Sequence, residues 1–420
     1  MSSTDVSIGL VTSCGDYLTA EPSKNHVSLV TTSLGPKQIW DVKFKSTEGL
    51  QVLVELHAFN GMTLQPDING SMKCGPSNEL SLFLLEYQSN GSWVFKSLRL
   101  GTYLVSNVDK VFCSQKDATN PQQWIPHLSM HPQIALYHLQ SKSYVRMHYT
   151  QGQAIAEASA PFSEECIFLF HFDHGKYHLQ TSDLSYLTTE GQLLSKPSKQ
   201  TAFVLHLKAG YMMTLSAGEK GILFPHSRSG LLSAGMCPSG MEAVFIIKRP
   251  KPWITLKTCS NKYVTINYGV EVYARSENIT ELSLFQYESN LNRDCVRLRT
   301  ITGQLLVQRR PANILANGND SEKTTYFTLE WNKGKVRLQA ANKLYLTMKP
   351  IGQMIATAEQ PGPNEEFILR LMNRPFLILR GKCGYIATDF HSAQLRCSQS
   401  KYEIILLTLC KGGFCHFQGK

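Results

Sequence analysis

The sequence predicts an all-β chain assembled from repeated four-stranded units, and three observations predict it. An aromatic-aliphatic pair after a turn recurs as "GDYLTA" (Tyr17), "GTYLVS" (Tyr103), "KSYVRM" (Tyr144), "LSYLTT" (Tyr186), "NKYVTI" (Tyr263), "KLYLTM" (Tyr345) and "CGYIAT" (Tyr385). Degenerate copies at Met62, Ile222 and Leu305 fill the gaps, so that ten positions step by 45, 41, 41, 42, 36, 41, 42, 40 and 40 residues. Short alternating runs such as "VRLRT", "VRLQA" and "YHLQT" surround each pair, with Gly/Asn turns between them, and long 3.6-period apolar stripes are absent.

Each element follows from the need to bury an apolar face. One forty-residue unit cannot do so alone, and the Trp-Asp and Gly-His marks of propeller blades are missing. Units closing in threes give tandem β-trefoil domains: three complete ones over 1–128, 129–250 and 251–372, and an incomplete fourth over 373–420. "MHPQ" (Met130 to Gln133) and "KRPKPW" (Lys248 to Trp253) supply proline at the two joins. The tenth unit begins at "RPFLILRG" and leaves the fourth domain one unit and a strand. This is the expectation of a truncated isoform or an incomplete gene model, poorly ordered if taken alone. The repeated tyrosines Tyr17, Tyr103 and Tyr144 are expected in the core.

Composition is that of a globular chain: 420 residues, 42% hydrophobic and 18% charged, large enough for more than one domain. No apolar run is long enough to span a bilayer, and the first residues lack the basic and apolar regions of a secretory signal. Eleven scattered cysteines contain no Cys-x-x-Cys pair and read as free thiols of a reducing cytoplasm. The net charge of +10 is uneven: residues 251–420 carry 23 Lys/Arg against 13 Asp/Glu, whereas residues 1–250 carry 19 of each. An acidic partner for the C-terminal part follows, whether nucleic acid, an anionic membrane or an acidic filament.

Catalytic chemistry has no foothold. The chain lacks Gly-x-Ser-x-Gly, a P-loop, His-Glu-x-x-His and clustered metal ligands. "HFDHGKYH" (His171, His174, His178) lies across an expected hairpin, and the acidic pairs at Glu164-Glu165 and Glu365-Glu366 have no partner base. The expected activity is binding, without catalysis and without a metal.

"YLTAE", "SLGPKQIW", "MHPQ", "LQTSDLSYL", "FTLEW" and "NRPFLILRG", in this order and spacing, resemble the fascins, four-trefoil proteins that bundle actin filaments. "GPNEEF" (Gly362 to Phe367) is most similar to the testis-expressed branch. The resemblance implies a cytoplasmic, cytoskeletal monomer without cofactor. Its partner would be filamentous actin, held by separated basic faces, with no nucleic-acid ligand and no membrane insertion. Carried over residue by residue, Ser33 matches the serine whose phosphorylation weakens actin binding. The lysine run behind it is reduced to Gly35, Pro36 and Lys37, and two nearby basic positions are Asp16 and His26. An Arg-Lys-Arg cluster becomes Ser141-Lys142-Ser143, and a lysine pair becomes Lys349-Pro350. Arg374 and Arg380 match family arginines, and Lys382 adds charge. The implied actin-binding set is therefore Lys37, Lys142, Lys349, Arg374 and Arg380, with bundling expected to be weakened by the lost lysines and by the truncation of the fourth trefoil.

Two other classes compete. A sugar-binding trefoil would use the Q-x-W spacings of Gln38-Ile39-Trp40 and Gln122-Gln123-Trp124, although such a tryptophan is mainly a core residue. The other is a cytoskeletal scaffold with no filament contact.

Overall fold

The computed structural model describes residues 4–21, 25–30, 33–46, 51–108, 110–114, 122–236, 240–290, 295–381, 384–389, 392, 394–399, 402–409 and 415–419. Lys382 lies outside them. The described residues are all-β, with three 12-stranded sheets in succession followed by a 3-stranded and a 2-stranded sheet. The first sheet ends at Leu128 and the second begins at Gln133; the second ends at Lys248 and the third begins at Trp253. The proline-bearing joins fall in both gaps.

Within the first sheet, six strands close into a barrel: Val6–Val11, Trp40–Ser46, Val52–Ala58, Phe83–Tyr87, Trp93–Ser97 and Ile125–Leu128. A bridge between Trp93 and Trp124 completes the circuit. The other six strands form three hairpins that cover one end of the barrel. Closure removes the free edges that a six-stranded open sheet would expose. The second barrel repeats this circuit with its closing bridge at Tyr177 and Phe203, and the third with its bridge at Val336 and Phe367. Six barrel strands and three cap hairpins, repeated three-fold, make each sheet a β-trefoil.

The cap hairpins interlock around each three-fold axis. In the third trefoil, Ala316 N–H donates to the Val270 carbonyl at 2.7 Å, Ala356 to Ala312 at 2.8 Å, and Ala274 to Gly352 at 2.6 Å. Each hairpin tip thus docks on the return strand of another hairpin, and the three form one cap.

The tyrosine pattern needs correcting. Tyr17 is buried, but Tyr103 and Tyr144 are only partly so. The aliphatic residue that follows is the true core position: Leu18, Leu104, Val145, Leu187 and Val264 are fully buried. In a strand the two neighbours face opposite sides, so only one can point inward. The outer tyrosine instead takes a cation on its ring, Lys96 over Tyr103 at 5.4 Å and Lys257 over Tyr263 at 5.5 Å.

The first two trefoils share one continuous apolar core, whereas the third has its own. At the shared boundary the Tyr177 hydroxyl donates to the Pro126 carbonyl at 2.9 Å and accepts from the Leu128 N–H at 2.8 Å. The Trp93 indole donates to Leu207 at 3.2 Å, and His127 stacks on Phe172 at 4.0 Å. After the third trefoil the chain turns back to the second. Phe376 and Ile378 bury themselves against Leu169, and Tyr402 stacks on His171 at 5.2 Å. The described part of this last stretch therefore folds against a neighbouring barrel, and not in isolation.

Candidate functional site

The loop that carries Ser33 and Lys37 is set by the short 3-10 turn Pro36–Gln38, for which proline supplies the starting φ. Gln38 is buried; its side-chain oxygen accepts from the Gly35 N–H at 3.1 Å and its amide donates to Thr19 Oγ1 at 3.2 Å. Trp40 is fully buried and donates its indole N–H to the Leu18 carbonyl at 2.9 Å. Gln122 and Trp124 repeat the arrangement, accepting from Ser106 and donating to Leu104. Both Q-x-W spacings are thus engaged within the barrel. Lys37 is exposed and lies 3.4 Å from Glu21, a pairing that offsets part of its charge.

Lys142 occupies the left-handed position of the turn between Gln133–His138 and Ser143–His148, with φ 54 and an exposed side chain. Ser141 is tied to His138 Nδ1 at 2.7 Å and to Ser143 at 2.6 Å.

Arg374 and Arg380 converge with Arg249 where the joins at 129–132 and 249–252 meet the last stretch. The Arg374 guanidinium donates to the carbonyls of Asn373, at 2.9 Å, and Pro250. Arg380 is exposed, donates to Ser129 at 3.2 Å, and lies over the Tyr385 ring at 5.4 Å. Burial holds the His131 imidazole below its ordinary range, and the positive charges of Arg249, Arg374 and Arg380 add to this. Arg374 is itself lowered by burial and then by Arg249. Asn373 latches the junction, accepting from Trp253 N–H at 2.9 Å and donating to the Pro161 and Lys251 carbonyls at 2.7 and 2.9 Å.

Lys349 sits on a different face, at a cap-hairpin tip of the third trefoil. Arg275 joins it at this tip, and the exposed Arg310 stands at the tip of a neighbouring hairpin on the same cap, beside Ala341 and Asn342. The Arg275 Nε donates to the Ile351 carbonyl at 2.9 Å and its guanidinium stacks over Tyr273 at 4.2 Å. Glu271 lies on the same cap. The strand Trp253–Lys257 runs from the Asn373 latch to the cap hairpins, so the two basic clusters stand at opposite ends of the third barrel.

Sequence reasoning named Arg374, Arg380 and Lys349 but missed Arg249, Arg275 and Arg310. Arg249 stands in a stretch read only as a join, and Arg310 precedes Pro311 at a hairpin tip whose convergence depends on the three-fold closure. Lys37 and Lys142 join neither cluster. His171 and His178 face each other across their hairpin, while His174 is solvent-exposed beside Asp173. Among the described residues no group of three or more His, Cys, Asp or Glu is placed to hold a metal ion. Among the described cysteines, burial pushes the Cys74 and Cys166 thiols up to about 11 and Cys113 to about 12.

A Fascin domain model matches residues 260–369. Fascin-3 of Mus musculus is 34% identical over 418 residues, covering 99% of this chain and 84% of that protein, and fascin-3 of Homo sapiens gives the same identity and coverage. Fascin-2 of Bos taurus is 27% identical over 413 residues, covering 97% and 83%. With 34% identity running through all three trefoil barrels and on into the last stretch, the chain belongs to the fascin family.

Proposed function

We propose that this protein binds actin filaments and cross-links them in the cytoplasmic cytoskeleton, acting by adhesion and not by catalysis. The observation that carries the reading is the pair of basic regions at opposite ends of the third barrel: Arg249, Arg374 and Arg380 converging at one, and at the other a cap that carries Arg275 and Lys349 at one tip and Arg310 at another. A cross-linker needs two separated contacts, because the second becomes intramolecular once the first forms. Filament surfaces are acidic, so affinity supplied by such clusters falls with added salt.

The domains that carry these contacts are 1–128, 129–250, 251–372 and the partial 373–420. Lys37 and Lys142 act as isolated contributors. The pairing of Lys37 with Glu21 and the loss of lysines beside Ser33 make the first trefoil's face the weaker one, and phosphorylation of Ser33 would weaken it further.

Co-sedimentation with actin filaments at low and high centrifugal speed, at two salt concentrations, tests the reading. Pelleting at low speed, lost at high salt, is expected. Pelleting at high speed alone would reduce the function to single-site binding. The reading fails if nothing pellets at either speed, and a glycan array then tests the lectin alternative.

A further inference from the structure

Tyr268 strains the fold without packing into it. It occupies the turn between Tyr263–Asn267 and Glu271–Ser276 with φ 49, a left-handed position that Asn and Gly accept and a bulky side chain does not. The residue is 90% exposed, so burial offsets little of that cost. A strained residue that the core does not use points to a partner outside the chain. In the second trefoil the corresponding tips carry Thr150, Glu190 and Ser229, all exposed and polar, and the tip tyrosine there, Tyr149, has its hydroxyl bonded to Ser182. The first trefoil exposes Val108 and Ile68 at its tips, with Asp67, and not a cation, beside Ile68.

The apolar surface of the third cap extends to all three tips. Ile351 is 63% exposed and Val270 39%, and Pro311 and Pro350 are exposed as well. Every residue of the three cap hairpins is described, and the chain leaves the third barrel at the other end, at Asn373. Arg275, Lys349 and Arg310 stand on the same cap. Arg275 is already ordered by its stacking on Tyr273 and its bond to the Ile351 carbonyl, so docking it costs little side-chain freedom. Each tip docks on another hairpin's return strand, which keeps neighbouring tips within one hairpin arm, ~20 Å for the 6 residues of Glu271–Ser276. A standard interface of roughly 800 Å² per partner covers that span.

We infer that Tyr268 and Ile351 are apolar anchors of the filament contact, buried in it alongside the cations, so that the third cap grips by desolvation as well as by charge. Exposed aromatic and aliphatic side chains beside a pre-ordered arginine have the make-up of an interface core. The cations Arg275, Lys349 and Arg310 commit the partner to acidic chemistry, which is that of the filament surface. The inference rests on the filament reading given above and adds to it a component that salt does not screen. Added salt therefore abolishes low-speed pelleting but leaves part of the high-speed pellet, held through the cap alone.

High-speed co-sedimentation of the full chain with actin filaments over a salt series is the test, with the double variant Tyr268→Asn, Ile351→Ser beside the wild type. Affinity should fall by about 10-fold at every salt concentration. The slope of log Kd against log salt should not change, because no charge is altered. Asparagine accepts the left-handed turn, so Tyr268→Asn alone should hold or raise the thermal midpoint while it loses affinity. A merely structural tyrosine would lose both together. A double variant that pellets as well as a pelleting wild type overturns the inference and leaves the filament reading standing. So does a loss of affinity that disappears at high salt. If the wild type pellets at neither speed, the filament reading fails and the inference falls with it.

Discussion

The indole N–H of Trp40 donates to the carbonyl oxygen of Leu18 at 2.9 Å, inside the first barrel and with no exposure of the ring. Trp124, in the third unit of the same trefoil, makes the same bond to Leu104 at 3.3 Å. These rings fasten barrel strands to cap hairpins. Trp40→Ala is expected to lower the unfolding free energy by ~3–5 kcal/mol through the cavity it leaves. Trp40→Phe should cost less, about 1–3 kcal/mol, mainly by stranding the buried Leu18 carbonyl. Urea denaturation checks both. A Trp40→Phe variant that folds with full stability would show the bond to be dispensable.

His127 lies between the Tyr17 hydroxyl, at 2.8 Å, and the Phe172 ring. Burial pushes its imidazole down to about 3. The folded chain then holds it neutral while the unfolded chain takes up a proton below its ordinary value near 6.5. Stability from this group is complete above that value and falls as pH drops toward the folded one. Between roughly pH 6.5 and pH 5 the loss should reach about 2 kcal/mol. His127→Gln should show a shallower loss over the same range, and equal slopes for variant and wild type would remove the explanation.

Glu55 behaves in the opposite sense. Its carboxylate is buried, which by itself pushes the pKa up, but bonds from Ser77 at 2.7 Å, Lys45 at 3.0 Å and His57 at 2.9 Å outweigh this and bring it down to about 2. A depressed carboxyl stabilises the fold above its ordinary range and loses that contribution as pH falls from about 4.3 toward 2. Glu55→Gln should lower stability by ~1–3 kcal/mol at neutral pH and flatten the acid limb of the profile. Thermal unfolding between neutral and acid pH reads both effects.

The third-trefoil cap should dominate filament affinity if the proposed function holds. The double variant Arg310→Glu, Lys349→Glu reverses two exposed or half-exposed charges without touching a core. Its affinity for filaments should fall by ~10-fold, equivalent to about 1.4 kcal/mol, and its salt dependence should weaken. Quantitative high-speed co-sedimentation measures this, and an unchanged affinity would move the contact elsewhere on the chain.

The forty-residue period made the barrels legible, because every unit had to place an aliphatic residue inward at the same step. That is why the strands carrying Tyr17, Tyr103 and Tyr263 could be placed without coordinates. The period could not say whether the tyrosine or its neighbour faces inward, since either register keeps the spacing. Nor could it reveal Arg249, Arg275 and Arg310, whose grouping arises from three-fold closure and from the return of the last stretch. The residues carried over by resemblance met a mixed setting: Arg374 and Arg380 share a cluster, Lys349 shares its tip with Arg275, and Lys37 faces Glu21.

The single core running through the first two trefoils has a mechanical consequence. Tyr177 is bonded to both Pro126 and Leu128, and Trp93 to Leu207, so the join at 129–132 cannot serve as a hinge. Tension applied across these two barrels is borne by packed side chains, and they should resist torsion as one stiff strut. The third barrel, with a core of its own and an Asn373 latch made of single hydrogen bonds, is where the molecule would yield first under load.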